Sequence, residues 1–451
     1  MKLFFCGICG SGMSALSQIS LLEGNEISGS DRSFDKGENK ELKEKFEKLG
    51  IKIYPQDGSG IKDDIDFLVI STAVEKTNPD IKIAEEKKIR IIHRSELLNE
   101  YAKKYKTIAV GGTSGKSTTT AMIWHILKKK GLEPSVINGA YINSIKDDKL
   151  IGNAYLGNGD ILVIETDESD ASITKYKPYI GVLLNISKDH KDVAELKKIF
   201  SEFLKNSNII VVNRDDENAY EISFEFKNKT YFSSKNIRIK EKSIEKTVFE
   251  FENEIYEIPL AGKHNIENAF AAAKTAEIFG INLKDSLRFL SDFKGIYRRM
   301  NIIGKCSNIK IIDDYAHNPA KIMALIKTLI ENSKKFILIY QPHGFYPTKL
   351  LKNELIETFK NIRDDDMLIF PEIYYAGGSV NKDISSKELV DEIKKYRKKV
   401  LYFENRNEII NYILEMKNIS DYDIIAISGA RDNTLNDFAK EIYTKLKNML
   451  R

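Results

Sequence analysis

The stretch "GGTSGKSTTT", residues 111–120, combines a lysine and a serine with closely spaced glycines. The β-branched, apolar "TIAV" before it predicts a buried strand, and the apolar spacing after it predicts a helix. Glycine N–H groups and a helix N-terminus attract anions, while the lysine can reach nucleotide phosphates and the hydroxyl can bind Mg²⁺. We therefore predict nucleotide contacts from Gly112, Thr113, Ser114, Gly115, Lys116, Ser117 and Thr118.

This loop departs from the standard pattern G-x-x-x-x-G-K-[ST], because the first glycine of that pattern would fall at Val110. Two interpretations remain at this point: a shortened phosphate-binding loop, or a glycine-rich turn with a solvated lysine. The strand before the glycines and the helix after them favour the phosphate-binding loop.

Acidic and polar side chains follow two further apolar strands. "DILVIETDESDASI" places four carboxylates after one strand, and "IGVLLNISKDHKDV" places an amide, a carboxylate and an imidazole after the other. Mg²⁺ prefers oxygen ligands, so a metal site beside the loop hydroxyl is predicted, with Glu165 as the best carboxylate candidate. Asp167 or Asp170 could equally cap the following helix. The remaining candidates at these strand ends are Glu168, Asn185, Asp189 and His190.

The chain has six histidines, and four of them lie in polar turns. Imidazole titrates near neutral pH, which suits general acid–base work, although any single histidine can also be a packed or surface residue. We take the four as functional candidates and His93 and His125 as structural. The four are His190, His264, His317 and His343.

Strands and helices alternate along the whole chain, which predicts an α/β fold with parallel sheets. From this alternation we predict three domains in the 451 residues, at 1–104, 105–297 and 298–451. The first strand-to-helix turn, "GICGSGMSAL", has the order G-x-x-G-x-G, with Asp31 near the end of the second strand. Such a turn can bind a diphosphate at the helix N-terminus. A nicotinamide oxidoreductase, which would bind a dinucleotide there, is the weaker alternative for the class of protein.

Composition excludes several classes of protein. The 70 basic and 66 acidic residues nearly balance and are scattered, so nucleic-acid binding is not predicted. No apolar run reaches the ~18 residues of a membrane helix, and we expect a cytoplasmic protein without a membrane partner. Cys6 and Cys9 form a C-x-x-C without a second pair, so we interpret them as small packing residues rather than a metal or redox site.

The motifs together resemble the Mur ligase family over essentially the full length. The resemblance is carried by "GSGMSAL…GSD", "STAVEKTNPDIKIAEEKKIRIIHRSELL", "GGTSGKSTTT", "IETDESDAS", "NISKDH", "GKHNIENAFAAA", "YRRM", "DDYAHNP" and "QPH". The family uses a shortened G-[TS]-x-G-K-[ST] loop, which accounts for Val110. It implies three domains: a Rossmann-like N-terminal domain, a central P-loop ATPase domain and a Rossmann-like C-terminal domain.

The resemblance also implies roles for individual residues. The sugar nucleotide would be held by the first glycine turn with its flanking residues, Gly10, Ser11, Gly12 and Met13, and by Asp31. Mg²⁺ would be bound by Ser117, Glu165 and His190, and adenine would lie against Asn265 and Asn268. Arg298 or Arg299 would contact phosphate or ribose, with Asp314 and His317 contributed by the C-terminal domain.

The implied activity is an ATP- and Mg²⁺-dependent ligase of cell-wall precursor synthesis, expected as a monomer or homodimer. A carboxylate of UDP-N-acetylmuramate would form an acyl phosphate, with Lys116 offsetting charge, and the amine of L-alanine would then displace phosphate. His317 or His343 would assist the amine. The "QPH" stretch is similar to members that add L-alanine rather than to murein-peptide recycling ligases. Alternatives are a ligase with another amino acid or peptide, and a non-catalytic nucleotide-binding member.

One stretch departs from the family pattern. Where alanine-adding members carry arginines after "QPH", this chain has Gly344 and Pro347, with Lys349 nearby. A lysine cannot reproduce a bidentate arginine contact. The departure therefore bears on the identity of the amino acid, whereas activation of a muramate-like carboxylate can survive it.

Overall fold

The computed structural model describes residues 1–147, 150–169, 171–188, 191–375, 382–430, 432 and 434–450. It divides into two compact units. The first holds most of the chain up to Tyr297, and the second holds the chain from Arg298 onward with the short segments Lys242–Lys246 and Leu260–Gly262.

The first hundred residues form a five-stranded parallel sheet of order β3-β2-β1-β4-β5. The chain order reverses between β1 and β4, which is the position where open α/β sheets bind ligands. The strands are β1 Lys2–Cys6, β2 Glu26–Ser30, β3 Lys52–Tyr54, β4 Phe67–Ile70 and β5 Arg90–His93. The helices are α1 Ser11–Leu22, α2 Arg32–Asp35, α3 Lys40–Lys48, α4 Pro79–Glu86 and α5 Arg94–Ala102.

The central region is built on a seven-stranded sheet of order β12-β11-β10-β6-β9-β7-β8, parallel except for the pair β7–β8. A small three-stranded sheet, β13-β14-β15, follows it. The strands are β6 Lys106–Gly111, β7 Ser135–Ile137, β8 Ala154–Tyr155, β9 Ile161–Glu165, β10 Ile180–Leu183, β11 Ile209–Asn213, β12 Lys229–Phe232, β13 Arg238–Lys242, β14 Thr247–Phe251 and β15 Glu254–Ile258. The helices are α6 Lys116–Lys129, α7 Val193–Lys205, α8 Glu217–Ile222, α9 Lys263–Glu277 and α10 Leu283–Phe289, with 3₁₀ turns at Ser172–Lys175 and Leu290–Asp292.

The second unit contains a six-stranded sheet of order β16-β17-β21-β18-β19-β20, in which only the edge strand β16 runs antiparallel. The strands are β16 Asn301–Cys306, β17 Ile309–Asp314, β18 Phe336–Tyr340, β19 Met367–Pro371, β20 Val400–Phe403 and β21 Ile424–Ser428. The helices are α11 Pro319–Asn332, α12 Phe345–Leu350, α13 Lys352–Phe359, α14 Ser386–Ile393, α15 Arg406–Glu415 and α16 Thr434–Met449, with a 3₁₀ turn at Ile419–Asp421.

The prediction of an α/β fold with parallel sheets is confirmed. β6, the strand before the nucleotide loop, lies between β9 and β10, so the carboxyl ends of all three strands meet at one edge. The sequence did not predict β16 or the small sheet β13–β15, whose strands are largely polar, as in "RIKEK" of β13. The domain boundaries at residues 104 and 297 remain predictions.

The cysteines are free thiols, and Cys6 and Cys306 are buried. Burial raises the pKa of Cys6 and of Cys9, and the Cys9 sulfur accepts a hydrogen bond from Ser33 Oγ at 3.4 Å. A thiol with a raised pKa is a poor nucleophile at neutral pH, in agreement with the predicted packing role. Within the described ranges, no helix is long and apolar enough to cross a membrane.

Candidate active site

The nucleotide loop joins β6 to α6 through two glycines with positive φ. Gly112 has φ +136° and Gly115 has φ +86°, a region that side chains other than glycine rarely adopt. A Cβ at Gly115 would lie 2.4 Å from Oδ1 of Asn268. No side chain caps the start of α6, so its first N–H groups are directed toward the loop, where they can bind an anion.

Asn185, at the end of β10, holds the loop in shape. Its Oδ1 accepts hydrogen bonds from Thr113 Oγ1 at 2.8 Å and from Ser114 N at 2.9 Å, and its Nδ2 donates to Ser114 O at 3.1 Å. Its own carbonyl accepts from Thr113 N at 3.2 Å. One amide thus fixes two loop residues, which leaves the loop backbone preorganised for phosphate.

Lys116 is held by two partners. Its ammonium donates to Gly112 O at 2.7 Å and lies 2.9 Å from both carboxylate oxygens of Glu168. Glu168 is 7 % exposed at the side chain. Burial raises the pKa of Glu168, and the charge and hydrogen bond of Lys116 offset this only in part. The sequence identified Glu168 only as one of several candidate carboxylates and did not predict its pairing with Lys116.

Glu165 ends β9 beside the loop, as predicted. Its Oε2 accepts a hydrogen bond from Gly139 N at 2.7 Å, and a Cβ at Gly139 would lie 2.6 Å from that oxygen. Ser117 is buried in the first turn of α6. A hydroxyl and a carboxylate supply the oxygen ligands that Mg²⁺ accepts, together with water and phosphate oxygens, so these two residues fit the ion.

The other predicted metal ligand, His190, lies outside the described residues, as do Asp170 and Asp189. Over the described part of the chain, no group of three or more His, Cys, Asp or Glu side chains forms a metal cluster. A site built from Ser117, one carboxylate and ligand oxygens needs no such cluster.

Asp167 closes a turn and pairs with Arg94 at the start of α5. Its Oδ1 accepts from Ser169 N at 3.0 Å and from Ser169 Oγ at 2.6 Å, and its Oδ2 accepts from Arg94 Nη2 at 3.0 Å. Burial alone would raise the pKa of Asp167, but the Ser169 hydrogen bonds and the charges of Arg94 and Lys116 outweigh it and lower that pKa. The prediction that Asp167 caps the following helix is wrong, because the 3₁₀ turn Ser172–Lys175 begins after Ala171 without a side-chain cap. Asp167 instead closes the turn at Ser169 and pairs with Arg94.

The two asparagines predicted to contact adenine lie on α9. Asn268 accepts from Thr119 Oγ1 at 3.2 Å and donates to Asn265 Oδ1 at 3.2 Å. Both are buried where α9 packs against α6, and Thr118 is also buried. Asn268 therefore lines the back of the nucleotide loop at Gly115. Its contact with adenine remains a prediction.

The first glycine turn is tied to Asp31. Asp31 accepts from Cys9 N at 2.9 Å and caps α2 by accepting from Ser33 N at 2.9 Å. Met13 is buried in the core, so only its backbone can face a ligand. Gly10 and Ser11 are exposed at the turn and the start of α1.

In the second unit, the two arginines differ. Arg298 is 2 % exposed; its guanidinium pairs with Asp313 at 3.1 Å and donates to the carbonyls of Gly429 and Asp432. Arg299 is half-buried. Because the guanidinium of Arg298 is buried and engaged by Asp313 and two carbonyls, Arg299 is the more accessible candidate for the predicted contact with phosphate or ribose, which stays a prediction.

Asp314 holds the chain that enters the second unit. Its Oδ2 accepts from Met300 N at 2.8 Å and its Oδ1 accepts from Ala316 N at 2.8 Å. Burial raises the pKa of Asp314, and these two backbone hydrogen bonds offset part of the rise. The residue therefore has a structural role, and its predicted contact with the nucleotide stays a prediction.

His317 and His343 come together although 25 residues separate them in "DDYAHNP…QPH". Their ring centroids are 5.5 Å apart in an edge-to-face arrangement. His317 Nδ1 lies 2.9 Å from the carbonyl oxygen of Tyr315. A carbonyl can only accept, so Nδ1 carries the proton and Nε2 is the accepting nitrogen of the neutral ring.

Comparison with known proteins gives matches along most of the chain. Three family models match in order: "Mur ligase family, catalytic domain" at residues 2–106, "Mur ligase middle domain" at 110–276 and "Mur ligase, glutamate ligase domain" at 298–431. A UDP-N-acetylmuramate–L-alanine ligase of Dictyoglomus turgidum is 36 % identical over 413 residues, which cover 87 % of this chain and 86 % of that protein. The chain belongs to the Mur ligase family.

Further Mur ligases extend the comparison to nearly the full length. A UDP-N-acetylmuramate–L-alanine ligase of Aquifex aeolicus is 33 % identical over 461 residues, an alignment that covers 98 % of this chain and 98 % of that protein. The crystal structure of a UDP-N-acetylmuramate–alanine ligase from Thermotoga maritima superposes with a TM-score of 0.81 at 26 % identity, with 99 % of both chains covered. A murein peptide ligase from Psychrobacter arcticus shares the fold, with a TM-score of 0.70 at 21 % identity.

Around the candidate site, the structure adds contacts that the sequence did not assign. Glu168 pairs with Lys116, and Arg94 pairs with Asp167. A buried amide network also joins α1 to the central region, because Gln18 Nε2 donates to Asn153 Oδ1 at 2.8 Å. Arg94 stands in "HRSELL", a stretch that carried the family resemblance. That motif was the one feature of the sequence that pointed to a role for Arg94.

Proposed function

We propose that this Mur ligase joins the carboxylate of UDP-N-acetylmuramate to L-alanine, using ATP and Mg²⁺ and forming a carbon–nitrogen bond. The observation that carries the proposal is the grouping of Lys116, Glu165 and Asn185 at the adjacent ends of β6, β9 and β10. The substrates follow from the names of the relatives that match over most of the chain. The proposal places the reaction in the cytoplasm, where ATP is available.

The first step is attack of a substrate carboxylate oxygen on the γ-phosphorus of ATP, which gives an acyl phosphate and ADP. Lys116 is positioned to offset negative charge on the transferring phosphoryl group, and the loop N–H groups hold the phosphates. Asn185 keeps these groups in place, so little reorganisation is needed at the moment of reaction. Mg²⁺, held by Ser117 and Glu165, would neutralise phosphate charge when bound.

The second step is attack of an amine on the acyl carbon, followed by departure of phosphate from a tetrahedral intermediate. The amine must lose a proton, and His317 in its Nδ1–H tautomer presents Nε2 as a base. His343 lies against the same ring and can fix its orientation. Of the two histidines left open by the sequence, we propose His317 as the base.

The test is release of inorganic phosphate by the purified chain, measured with each component omitted in turn. We expect release only when Mg·ATP, UDP-N-acetylmuramate and L-alanine are all present, and a fall of at least about a hundredfold in Lys116→Ala. Release that does not need the sugar nucleotide would contradict the substrate. Nucleotide binding without release under any condition would favour a non-catalytic protein.

A second candidate keeps the chemistry and changes the amine. Gly344, at the position of a family arginine, has φ +71°, a conformation that an L-residue adopts with strain. Lys349, the nearest cation after it, pairs with Asp383 and is largely exposed. An arginine at position 344 would be strained in this backbone conformation, and the Lys349 ammonium is already engaged by Asp383. A panel of single amino acids in the same assay, with the product identified by mass, decides between L-alanine and another amine.

A further inference from the structure

We propose that Tyr340 and Ser428 are positioning residues for the amine step, because their hydroxyls fix the backbone that carries His317. The inference rests on the proposed function, in which His317 is the base that accepts a proton from the amine. The sequence assigned no role to Tyr340 or Ser428. Both act through His317 and need no contact with a substrate.

The topology of the second unit brings the two hydroxyls to the segment that carries His317. Strands β17, β21 and β18 are adjacent and parallel, and their last residues are Asp314, Ser428 and Tyr340. Ser428 pairs in register with both of the others. The three residues therefore lie side by side at the carboxyl edge of the sheet, where open sheets bind ligands. The segment with His317 starts from Asp314 at this edge.

The two hydroxyls hold the two peptide groups that flank the Cα of His317. Ser428 Oγ donates to the carbonyl of Ala316 at 2.7 Å, which fixes the peptide group before His317. Tyr340 Oη donates to the carbonyl of His317 at 3.1 Å, which fixes the peptide group after it. The backbone orientation of His317 is therefore set by side chains from two neighbouring strands.

Burial makes these two hydrogen bonds hard to replace. Tyr340 is 2 % exposed and Ser428 is fully buried, so a carbonyl that loses its donor here would be left unsatisfied. The Tyr340 ring packs against Phe359 and Phe370, with centroids 5.2 and 5.8 Å away, which directs its hydroxyl. Burial also raises the pKa of Tyr340, so the hydroxyl keeps its proton at neutral pH.

A fixed backbone determines where the base of His317 lies. Nδ1 faces the carbonyl of Tyr315 at 2.9 Å, so the ring cannot turn without losing that contact. With both flanking peptide groups held as well, the direction of Nε2 is set before the amine arrives. A displacement of about 1 Å at a reacting group can cost a hundredfold in rate. Loss of either hydroxyl should therefore slow the amine step.

The experiment measures formation of the amide product by the full chain with Mg·ATP, UDP-N-acetylmuramate and L-alanine. The variants are Tyr340→Phe and Ser428→Ala, each alone and each combined with His317→Asn. Phenylalanine keeps the ring contacts of Tyr340 and removes only its hydroxyl.

Two control variants remove matched hydroxyls elsewhere in the second unit. Tyr422→Phe changes a buried tyrosine that precedes β21, at the opposite end of that strand from Ser428. Ser333→Ala removes a hydroxyl that donates to a helix carbonyl at 2.7 Å, just beyond the end of α11 that is far from His317. Both controls should form product as the unaltered chain does.

We expect Tyr340→Phe and Ser428→Ala each to lower kcat by about tenfold or more, with the KM for UDP-N-acetylmuramate unchanged. In the His317→Asn background, neither change should cause a further loss, because the base that the hydroxyls position is already absent. A role limited to folding stability would instead give the same loss in both backgrounds.

Hydroxylamine separates the amine step from the activation of the carboxylate. Its nitrogen is largely unprotonated at neutral pH, so it attacks the acyl carbon without a base; phosphate leaves and a proton goes to solvent. We expect Tyr340→Phe, Ser428→Ala and His317→Asn all to form the hydroxamate about as fast as the unaltered chain, since formation of the acyl phosphate does not involve His317.

Unchanged kcat in both single variants would overturn the inference, as would a further loss in the His317→Asn background equal to that in the unaltered chain. An equal loss of amide and hydroxamate would also overturn it. A loss in only one of the two variants would remove the other residue from the proposal. If His317→Asn forms product normally, the base assignment and this inference fail together, whereas no product from the unaltered chain would refute the proposed function itself.

Discussion

The ammonium of Lys116 lies 2.9 Å from both carboxylate oxygens of Glu168, a side chain with little exposure to solvent. A nucleotide phosphate must compete with this carboxylate for the lysine. We expect Glu168→Gln to bind Mg·ADP more tightly, by up to about tenfold, because one charge-assisted contact no longer competes.

Equilibrium titration with Mg·ADP measures this effect. The control is Asp160→Asn, an exposed carboxylate just before β9, at the end of the strand opposite to Glu165. Its affinity should match that of the unaltered chain. Weaker binding in Glu168→Gln would show that the carboxylate supports the nucleotide site rather than competing with it.

Gly115 and Gly131 stand at the two ends of α6 with nearly equal φ, +86° and +81°. A Cβ at Gly115 would meet Asn268 at 2.4 Å, whereas a Cβ at Gly131 would have no atom within 4 Å. Both alanine variants should lose about 1–2 kcal/mol of stability from backbone strain. Only Gly115→Ala should also lose Mg·ADP binding. Equal affinity of the two variants for Mg·ADP would contradict the prediction that the loop binds the nucleotide phosphates.

Gly139 positions the carboxylate of Glu165. A methyl group at Gly139 would collide with Oε2 at 2.6 Å and displace the oxygen predicted to bind Mg²⁺. We expect Gly139→Ala to raise the Mg²⁺ concentration needed for half-maximal phosphate release, in the same direction as Glu165→Gln. An unchanged Mg²⁺ requirement in both variants would remove Glu165 from the metal site.

The tautomer of His317 gives a test of the amine step. Asparagine can still donate to the Tyr315 carbonyl but has no basic nitrogen, so His317→Asn keeps one contact and removes the base. We expect product formation to fall by about a hundredfold, as for loss of a general base, with unchanged UDP and Mg·ADP affinity. His343→Asn should lose less. A larger loss of product formation in His343→Asn than in His317→Asn would make His343 the base and His317 the orienting residue.

The sequence sufficed for the parts of the site that come from contiguous residues. Glycine spacing and a strand–helix boundary predicted the nucleotide loop, and the apolar runs of β9 and β10 predicted where Glu165 and Asn185 stand. Topology then confirmed that these strand ends are adjacent. Such features follow from local backbone preferences and from the geometry of parallel sheets.

The contacts that the sequence missed depend on how distant segments pack. Arg94 and Asp167 are 73 residues apart, and Lys116 and Glu168 are 52 apart. No periodicity encodes which carboxylate in "ETDESD" turns toward which cation. Likewise, Arg298 and Arg299 are equivalent in "YRRM", and only the packing shows that Arg298 is buried against Asp313.

Asp80 predicts a pH dependence of folding stability. It is fully buried, accepts from Ser30 Oγ at 2.5 Å and from Gly58 N at 2.9 Å, and burial raises its pKa despite these hydrogen bonds. The folded state then holds its proton to higher pH than the unfolded state, where the pKa is about 3.9. Stability from this group is present at acid pH and is lost as pH rises through the folded pKa.

Asp80→Asn should therefore gain stability relative to the unaltered chain as pH rises from about 4 to neutral. Thermal unfolding of both proteins across that range measures the difference in Tm. Asp64→Asn is the comparison, because Asp64 is an exposed carboxylate whose pKa is lowered by a hydrogen bond from Lys2, and it should show no such gain. A pH-independent difference for Asp80→Asn would contradict the raised pKa.

In the proposed reaction, a carboxylate of the sugar nucleotide is activated by phosphoryl transfer before an amine displaces phosphate. In that sequence of steps, one carboxylate oxygen leaves with the phosphate. The most direct measurement uses UDP-N-acetylmuramate with ¹⁸O in its carboxylate, Mg·ATP and L-alanine, with mass spectrometry of both products. We expect one ¹⁸O in the released phosphate and the other in the amide product. Phosphate without label, or no amide product, would rule out the acyl phosphate route.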